Sequence, residues 1–359
     1  MGTIAVIGAG NVGQTIAGHM TLEGHSVRMY SVWDREFDPI RDRGGIELFG
    51  DVEGRAMPAL LTTDIEAAVA RAEVIVVAAP AFAHPGLSAS LAQVLTPEQL
   101  VVFQPTVLGS GVELCRQFAL EKRRPSLIAE SATSLYTCRL KEPARVYVGA
   151  IKDSIRVSSL PNSRTQEVVD RLTPFFGKHY VAAADSLAVG LSNSNPIYHV
   201  PPAVLNFKTV EDADRLPQHT LVTPRIAEAI EALDQERLSL SSTLHTDTTG
   251  FWQFLADAYG VTEGSFVDRV VQGYGRQAFP EPDSLTHRYF TEDIPFGLVV
   301  WSSIGNEVGV KMPLTDGFIA ISSVLCGVDF KETGRTVDSL GLAGAGVDEI
   351  LEVFRHGTP

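Results

Sequence analysis

In the stretch LSNSNPIYHVPPAVLN, residues 191–206, His199 stands between a run of amides and a pair of prolines. An imidazole donates and accepts protons near neutral pH. His199 therefore reads either as an acid–base catalyst or as a residue near a helix start that happens to titrate. Further along, THRYFTEDIPFGLVVWSSIG places Arg288, Glu292 and Asp293 ahead of an apolar helix. A guanidinium can grip a carboxylate with two parallel hydrogen bonds, but acids before a helix also serve as ordinary caps. Taken singly, both stretches have a structural explanation. A third stretch is the most specific in its context: IGAGNVGQTIAGHM near the N-terminus, where Gly8, Gly10 and Gly13 form a GxGxxG pattern.

The elements around that pattern give it its meaning. TIAVI, residues 3–7, is a short β-branched run, followed by apolar residues at helical spacing and then a second strand, HSVRMY. In a strand–turn–helix unit the first glycine permits the turn. The second lets the backbone approach a pyrophosphate, and the third lets helix and strand pack closely. Asn11 and Val12 open the helix, whose unpaired N–H groups and positive dipole end face the phosphates.

The end of the second strand selects the dinucleotide. The acid that would bind a ribose 2′-hydroxyl is replaced by Ser31, with Arg35 or Arg28 to balance a 2′-phosphate. The cofactor expected is NADP(H), with NAD(H) possible through Asp34. AEVIVVAAP and QLVVFQPT read as strands buried on both faces. They end at Pro80 and Pro105, on the carboxyl edge where ligands of such sheets bind, so Pro80 is placed beside the cofactor. His84, in the same loop, is expected to be a solvated loop residue rather than a nicotinamide contact. SLIAE, ARVYVGA and SIRVSSLP extend the sheet to about residue 182.

Beyond that point the pattern becomes helical, most clearly in PRIAEAIEALDQERLSLSSTL. The fold class is thus α/β: an N-terminal Rossmann domain with a doubly wound parallel sheet, residues 1–185, then an all-α domain, residues 186–359. The length suits two domains, and 45% hydrophobic with 20% charged residues is globular composition. A formal charge of −14 repels nucleic acid and acidic membranes. Cys115, Cys138 and Cys326 have no metal-ligand spacing and are expected to be reduced and buried. No signal peptide, membrane span or acylation motif is visible, so a cytoplasmic protein is expected. A homodimer is expected from the apolar faces that helical domains often expose.

The glycine loop, SLYTCR, NPIYHVPPAVLN and HRYFTED, in this order from Ile4 to about Gly344, resemble the octopine/nopaline (opine) dehydrogenase family. The resemblance implies a Rossmann domain followed by a helical one, and the reductive condensation of a 2-oxo acid with the amino group of an amino acid. It implies that His199 and Asp293 form a catalytic dyad and that Arg288 binds the oxo-acid carboxylate. Val200, between the histidine and the prolines, departs from the family pattern. Condensation must expel water from a carbinolamine, work suited to an imidazole whose partner carboxylate orients it and stabilises its cationic form. Asn206 is a candidate for binding the amino-acid partner. Two other readings stand beside this one. A simple 2-oxo or hydroxy acid reductase would use a lysine or a His–Glu pair early in the second domain, where Lys208 is the nearest lysine; a non-catalytic dinucleotide sensor would need no dyad.

Overall fold

The computed structural model describes residues 1–275 and 280–357. The chain forms two compact units. One comprises Met1–Gly190 together with the end of the chain from Val353; the other is Leu191–Glu352.

The first unit carries two sheets. The larger has eight strands in the order β12-β11-β8-β7-β6-β1-β2-β5. The ranges are β1 Thr3–Ile7, β2 Ser26–Tyr30, β5 Leu60–Thr62, β6 Val74–Val77, β7 Leu100–Phe103, β8 Leu127–Ser131, β11 Ile155–Leu160 and β12 Tyr180–Ala182. β1 lies between β6 and β2, with Ile4 opposite Val27 on one side and Val74 on the other, both pairings parallel. The apolar runs of β1, β6 and β7 are almost wholly buried, as expected for strands covered on both faces. β11 runs antiparallel to β8, with Ser158 opposite Glu130.

The smaller sheet was not expected. It has the order β4-β3-β10-β9, built from β3 Ile46–Gly50, β4 Gly54–Ala56, β9 Tyr136–Glu142 and β10 Arg145–Ile151. ARVYVGA, expected to extend the main sheet, is β10 of this one, pairing with β3 and β9. This sheet buttresses the helix Asn11–Leu22 that follows the glycine loop. Asn11 Oδ1 accepts the Leu140 N–H at 2.8 Å, and Tyr136 Oη lies 2.8 Å from His19 Nδ1. All three cysteines are free; Cys115 is buried, whereas Cys138 and Cys326 are partly exposed, against expectation.

Among its described residues the second unit is helical. The long amphipathic pattern forms the helix Pro224–Thr243, with Thr223 as N-cap and proline in its first turn. Arg237 is fully buried on this helix, where it pairs with Asp234 and donates to Thr249 O at 3.0 Å. Glu236, on the same helix, accepts the Leu314 and Thr315 N–H groups and so caps the helix Pro313–Cys326. Among the described residues no single helix is long and apolar enough to cross a membrane.

Candidate active site

Each glycine of the loop answers to a different physical demand. Gly8 has φ +119°, and a Cβ there would lie 2.9 Å from Ala78 O. At Gly13 a Cβ would stand 2.0 Å from Gly8 O, so only glycine lets the helix lie this close to the strand. At Gly10 a Cβ would meet nothing within 4 Å. No neighbour among the described residues therefore demands glycine at position 10, and the open space leaves the backbone accessible to a ligand. Gly10 is also the N-cap and has no side chain to occupy the N–H groups of the first turn, where Asn11 and Val12 sit. These features fit a dinucleotide pyrophosphate. Pro80 follows β6 closely and is exposed on the same carboxyl edge.

Ser31 lies directly after β2 and is 5% exposed. Its hydroxyl donates to the carboxylate of Glu36, in the short 3-10 turn Asp34–Phe37. The acid missing from the strand end thus arrives from within the following turn, a placement that no strand-end rule anticipates. Arg35 is exposed, with its guanidinium 5.2 Å from the Trp33 ring centre. Arg28 donates to Ala70 O and Asp34 is gripped by Arg41 at 2.7 Å, so both have structural partners. His84 is not solvated. It is 1% exposed, with Nδ1 3.0 Å from Ser110 Oγ and Nε2 3.1 Å from Ala79 O, and it packs on Phe103. The loop around it folds at once into the helix His84–Val94, which takes the ring inside.

Lys152, which no sequence motif singles out, is buried and fastens the loop after β8 through Thr133 Oγ1 at 3.1 Å and Ser134 O at 2.6 Å. Burial pushes its ammonium down to about 8. A cavity of about 830 Å³, lined by residues including Met1, Arg71, Glu73, Glu98 and Arg171, opens at the opposite, amino ends of the strands, away from the glycine loop.

In the second unit the histidine and the aspartate meet. His199 lies within the helix Asn195–Leu205, and its Nδ1 is 2.7 Å from Asp293 Oδ2. The Asp293 side chain is 1% exposed and that of His199 16%. Asp293 opens a π-helical turn, Asp293–Leu298, which precedes the helix Val299–Glu307. Such turns widen a helix and re-aim its side chains, and they are common at functional sites. The Tyr289 ring stacks on His199 with centres 3.9 Å apart and planes 13° apart.

The prolines contribute to this geometry. Pro202 has no N–H to give the carbonyl of Tyr198, one turn earlier. Gln218 Nε2 donates to that carbonyl at 3.1 Å, and Gln218 Oε1 accepts the Tyr289 hydroxyl at 2.9 Å. The stacked tyrosine is thereby tied to the histidine's own helix. Nothing in the sequence spacing points to Tyr289 or Gln218.

Arg288 donates through Nη2 to Glu292 at 2.9 Å, and among the described residues its buried Nε has no hydrogen-bond partner. The adjacent Glu292 and Asp293 carboxylates hold its charge firmly in place by raising the guanidinium pKa. A cation with a buried, unused N–H next to the dyad suits an incoming carboxylate. Asn206 is turned to the scaffold, its amide N–H groups going to Pro202 O at 2.9 Å and Leu221 O at 3.3 Å. Asn193 Oδ1 accepts the Asn195 N–H, a local turn contact, and Lys208 is exposed and paired with Asp212.

Comparison with known proteins identifies the family. Residues 182–326 match the family model for the α-helical domain of NAD/NADP octopine/nopaline dehydrogenases, and residues 3–113 match the N-terminus of NAD-dependent glycerol-3-phosphate dehydrogenases. An opine dehydrogenase from Arthrobacter sp. (strain 1C) is 31% identical over 98% of this chain and 99% of its own. A vitopine synthase from Allorhizobium ampelinum is 28% identical over 99% of each chain. The solved structure of an octopine dehydrogenase in complex with NADH and agmatine superposes with a TM-score of 0.79 at 20% identity, covering 99% of this chain and 98% of its own. The chain therefore belongs to the opine dehydrogenase family and is an NAD(P)-dependent oxidoreductase.

Proposed function

We propose that the protein reductively condenses a 2-oxo acid, pyruvate in the first instance, with the amino group of an amino acid, giving an N-(carboxyalkyl) amino acid. The contact between His199 Nδ1 and buried Asp293 carries this reading. Asp293 accepts the Nδ1 proton, which leaves proton exchange with substrate to Nε2. His199 takes a proton from the donor's ammonium, freeing its lone pair to attack the oxo carbon. A proton of the resulting cationic nitrogen passes to the new alkoxide, giving the carbinolamine; His199 then returns the proton it took to the carbinolamine hydroxyl, which departs as water and leaves an iminium. Arg288, through its unused Nε, holds the oxo-acid carboxylate and fixes which face of the carbon is presented. The nicotinamide, when bound, supplies the hydride that reduces this carbon.

The first unit supports binding of a nicotinamide dinucleotide, with Gly8, Gly10, Asn11, Val12 and Gly13 at the pyrophosphate and Pro80 at the strand edge. Ser31 and Arg35 alone argue for NADPH. Glu36 argues the other way, because a 2′-phosphate at Ser31 would meet its carboxylate, whereas a ribose 2′-hydroxyl would find an acceptor there. We infer that NADH is the better substrate, reversing the preference read from Ser31.

A homodimer is supported by Ile321 and Val324, 51% and 83% exposed and one turn apart on the helix Pro313–Cys326. Light scattering in solution checks it; a monomeric mass contradicts it. The condensation is tested by mass spectrometry after incubation with reduced cofactor, pyruvate and pooled amino acids. A secondary amine joining one amino acid to the pyruvate carbon skeleton is expected; lactate as the sole product would assign a simple oxo-acid reductase instead.

A further inference from the structure

His84 is a buried titratable residue that the mechanism does not employ, and its contacts tie together two turns on the carboxyl edge of the larger sheet. Ala78 N–H still donates to Ile7 O at 2.9 Å, so pairing with β1 continues through Ala78 and the turn after β6 begins at Ala79. The carbonyl of Ala79 lies 3.1 Å from His84 Nε2. A carbonyl can only accept, so Nε2 carries a proton and donates to it. The other ring nitrogen, Nδ1, lies 3.0 Å from Ser110 Oγ, whose hydroxyl donates to Val107 O at 2.7 Å in the turn between β7 and the helix Ser110–Leu120. Phe103, the last residue of β7, packs on the ring with centres 5.1 Å apart. A single buried side chain thus fastens the turn after β6 to the turn after β7.

The turn that His84 holds adjoins the glycine loop. A Cβ at Gly8 would stand 2.9 Å from Ala78 O and 3.1 Å from Ala79 N, so the two backbones are in contact. Within the turn Ala81 and His84 are buried, whereas Pro80 and Phe82 are exposed. β1 has β2 on one side and β6 on the other. A dinucleotide with its pyrophosphate at the glycine loop and its adenosine ribose at Ser31, beyond β2, extends its nicotinamide half to the β6 side, toward this turn.

We propose that His84 is a positioning residue for the nicotinamide half of the cofactor. By donating to the Ala79 carbonyl and anchoring on Ser110, it fixes residues 79–83, against which that half lies. The proposal rests on the glycine loop being the pyrophosphate site. A ring that only filled the core would bear on both halves of the cofactor alike, whereas a ring that sets this turn bears on one.

The test compares NADH, titrated by its fluorescence, with AMP, titrated by calorimetry, on the full chain. AMP takes the adenosine side and does not reach the turn. His84→Leu fills the space without either hydrogen bond; it should weaken NADH binding roughly 5- to 10-fold, the scale of one buried hydrogen bond, with AMP affinity within about twofold of wild type. His84→Gln, whose amide N–H can reach Ala79 O, should bind NADH within about threefold of wild type. Ser110→Ala removes the second anchor and should weaken NADH about threefold with AMP unaffected, which decides the matter if His84→Leu fails to fold. NADH affinity unchanged in His84→Leu and Ser110→Ala, an equal loss for NADH and AMP, or His84→Gln as weak as His84→Leu would overturn the proposal and leave the pyrophosphate site standing. Wild-type protein that binds neither NADH nor AMP would overturn both.

Discussion

In the proposed mechanism His199 and Asp293 act as one unit, so removing either should cost about as much as removing the function they share. For His199→Ala we expect kcat to fall roughly 10²- to 10⁴-fold with dinucleotide affinity unchanged. Asp293→Asn, which keeps the shape but weakens ring orientation and stabilisation of the imidazolium, should fall by a comparable factor. Steady-state kinetics beside fluorescence titration of the reduced cofactor check both, and normal turnover in either variant would remove the dyad from the mechanism. At Ser31 the decisive neighbour is Glu36. Glu36→Ala should shift the NADPH-to-NADH ratio of dissociation constants toward NADPH by about tenfold, the scale of one charge-assisted hydrogen bond. A ratio that stays put would mean that Glu36 takes no part in cofactor choice.

At the scale of elements, the glycine loop separates binding from stability. Gly13→Ala places a Cβ against Gly8 O and must push the helix Asn11–Leu22 off its strand, which should cost about 1–3 kcal/mol and lower the melting temperature. Gly10→Ala meets nothing in the fold, so its melting temperature should hold while dinucleotide affinity drops. Equal effects in the two variants would contradict a pyrophosphate at Gly10. This loop was readable from sequence because strand, turn and helix are contiguous, and each glycine's role follows from local geometry. The four-stranded sheet was not. ARVYVGA is as apolar as a central strand, and its choice of β3 and β9 over β8 depends on partners distant in the chain. His84 misled for a similar reason: its neighbours suggest an open loop, but Ser110, far along the chain, draws it inside. The contact between His199 and Asp293 was legible only through resemblance, because the π-helical turn that aims Asp293 at His199 leaves no periodic trace.

For the whole molecule, the ionisation of one buried group should appear in global stability. Glu281 is held protonated in the fold up to about pH 8, whereas in the unfolded chain it ionises near its ordinary value of 4.5. Between these values the unfolded state has released a proton that the folded state retains, so stability falls as pH rises through this window. Glu281→Gln removes the effect. Its melting temperature relative to wild type should therefore climb as pH rises through this window, corresponding to a few kcal/mol at the upper end, because each pH unit between the two values contributes about 1.4 kcal/mol. Calorimetry across this range checks it, and a pH-independent difference would mean that Glu281 ionises normally in the fold. The two-unit organisation was visible in the change from β-branched runs to helical spacing. The return of the chain to the first unit from Val353, where Phe354 O accepts the Ser186 hydroxyl, was not, since a terminal helix shows its periodicity but not its docking partner.

The central claim is that amine and oxo acid are joined. The most direct measurement is the loss of reduced-nicotinamide absorbance with pyruvate, recorded with and without amino acids, using NADH and NADPH in parallel. Oxidation that requires both pyruvate and an amine, and that disappears in His199→Ala, is the predicted result. Equal oxidation with pyruvate alone would contradict the account and make the protein a simple oxo-acid reductase.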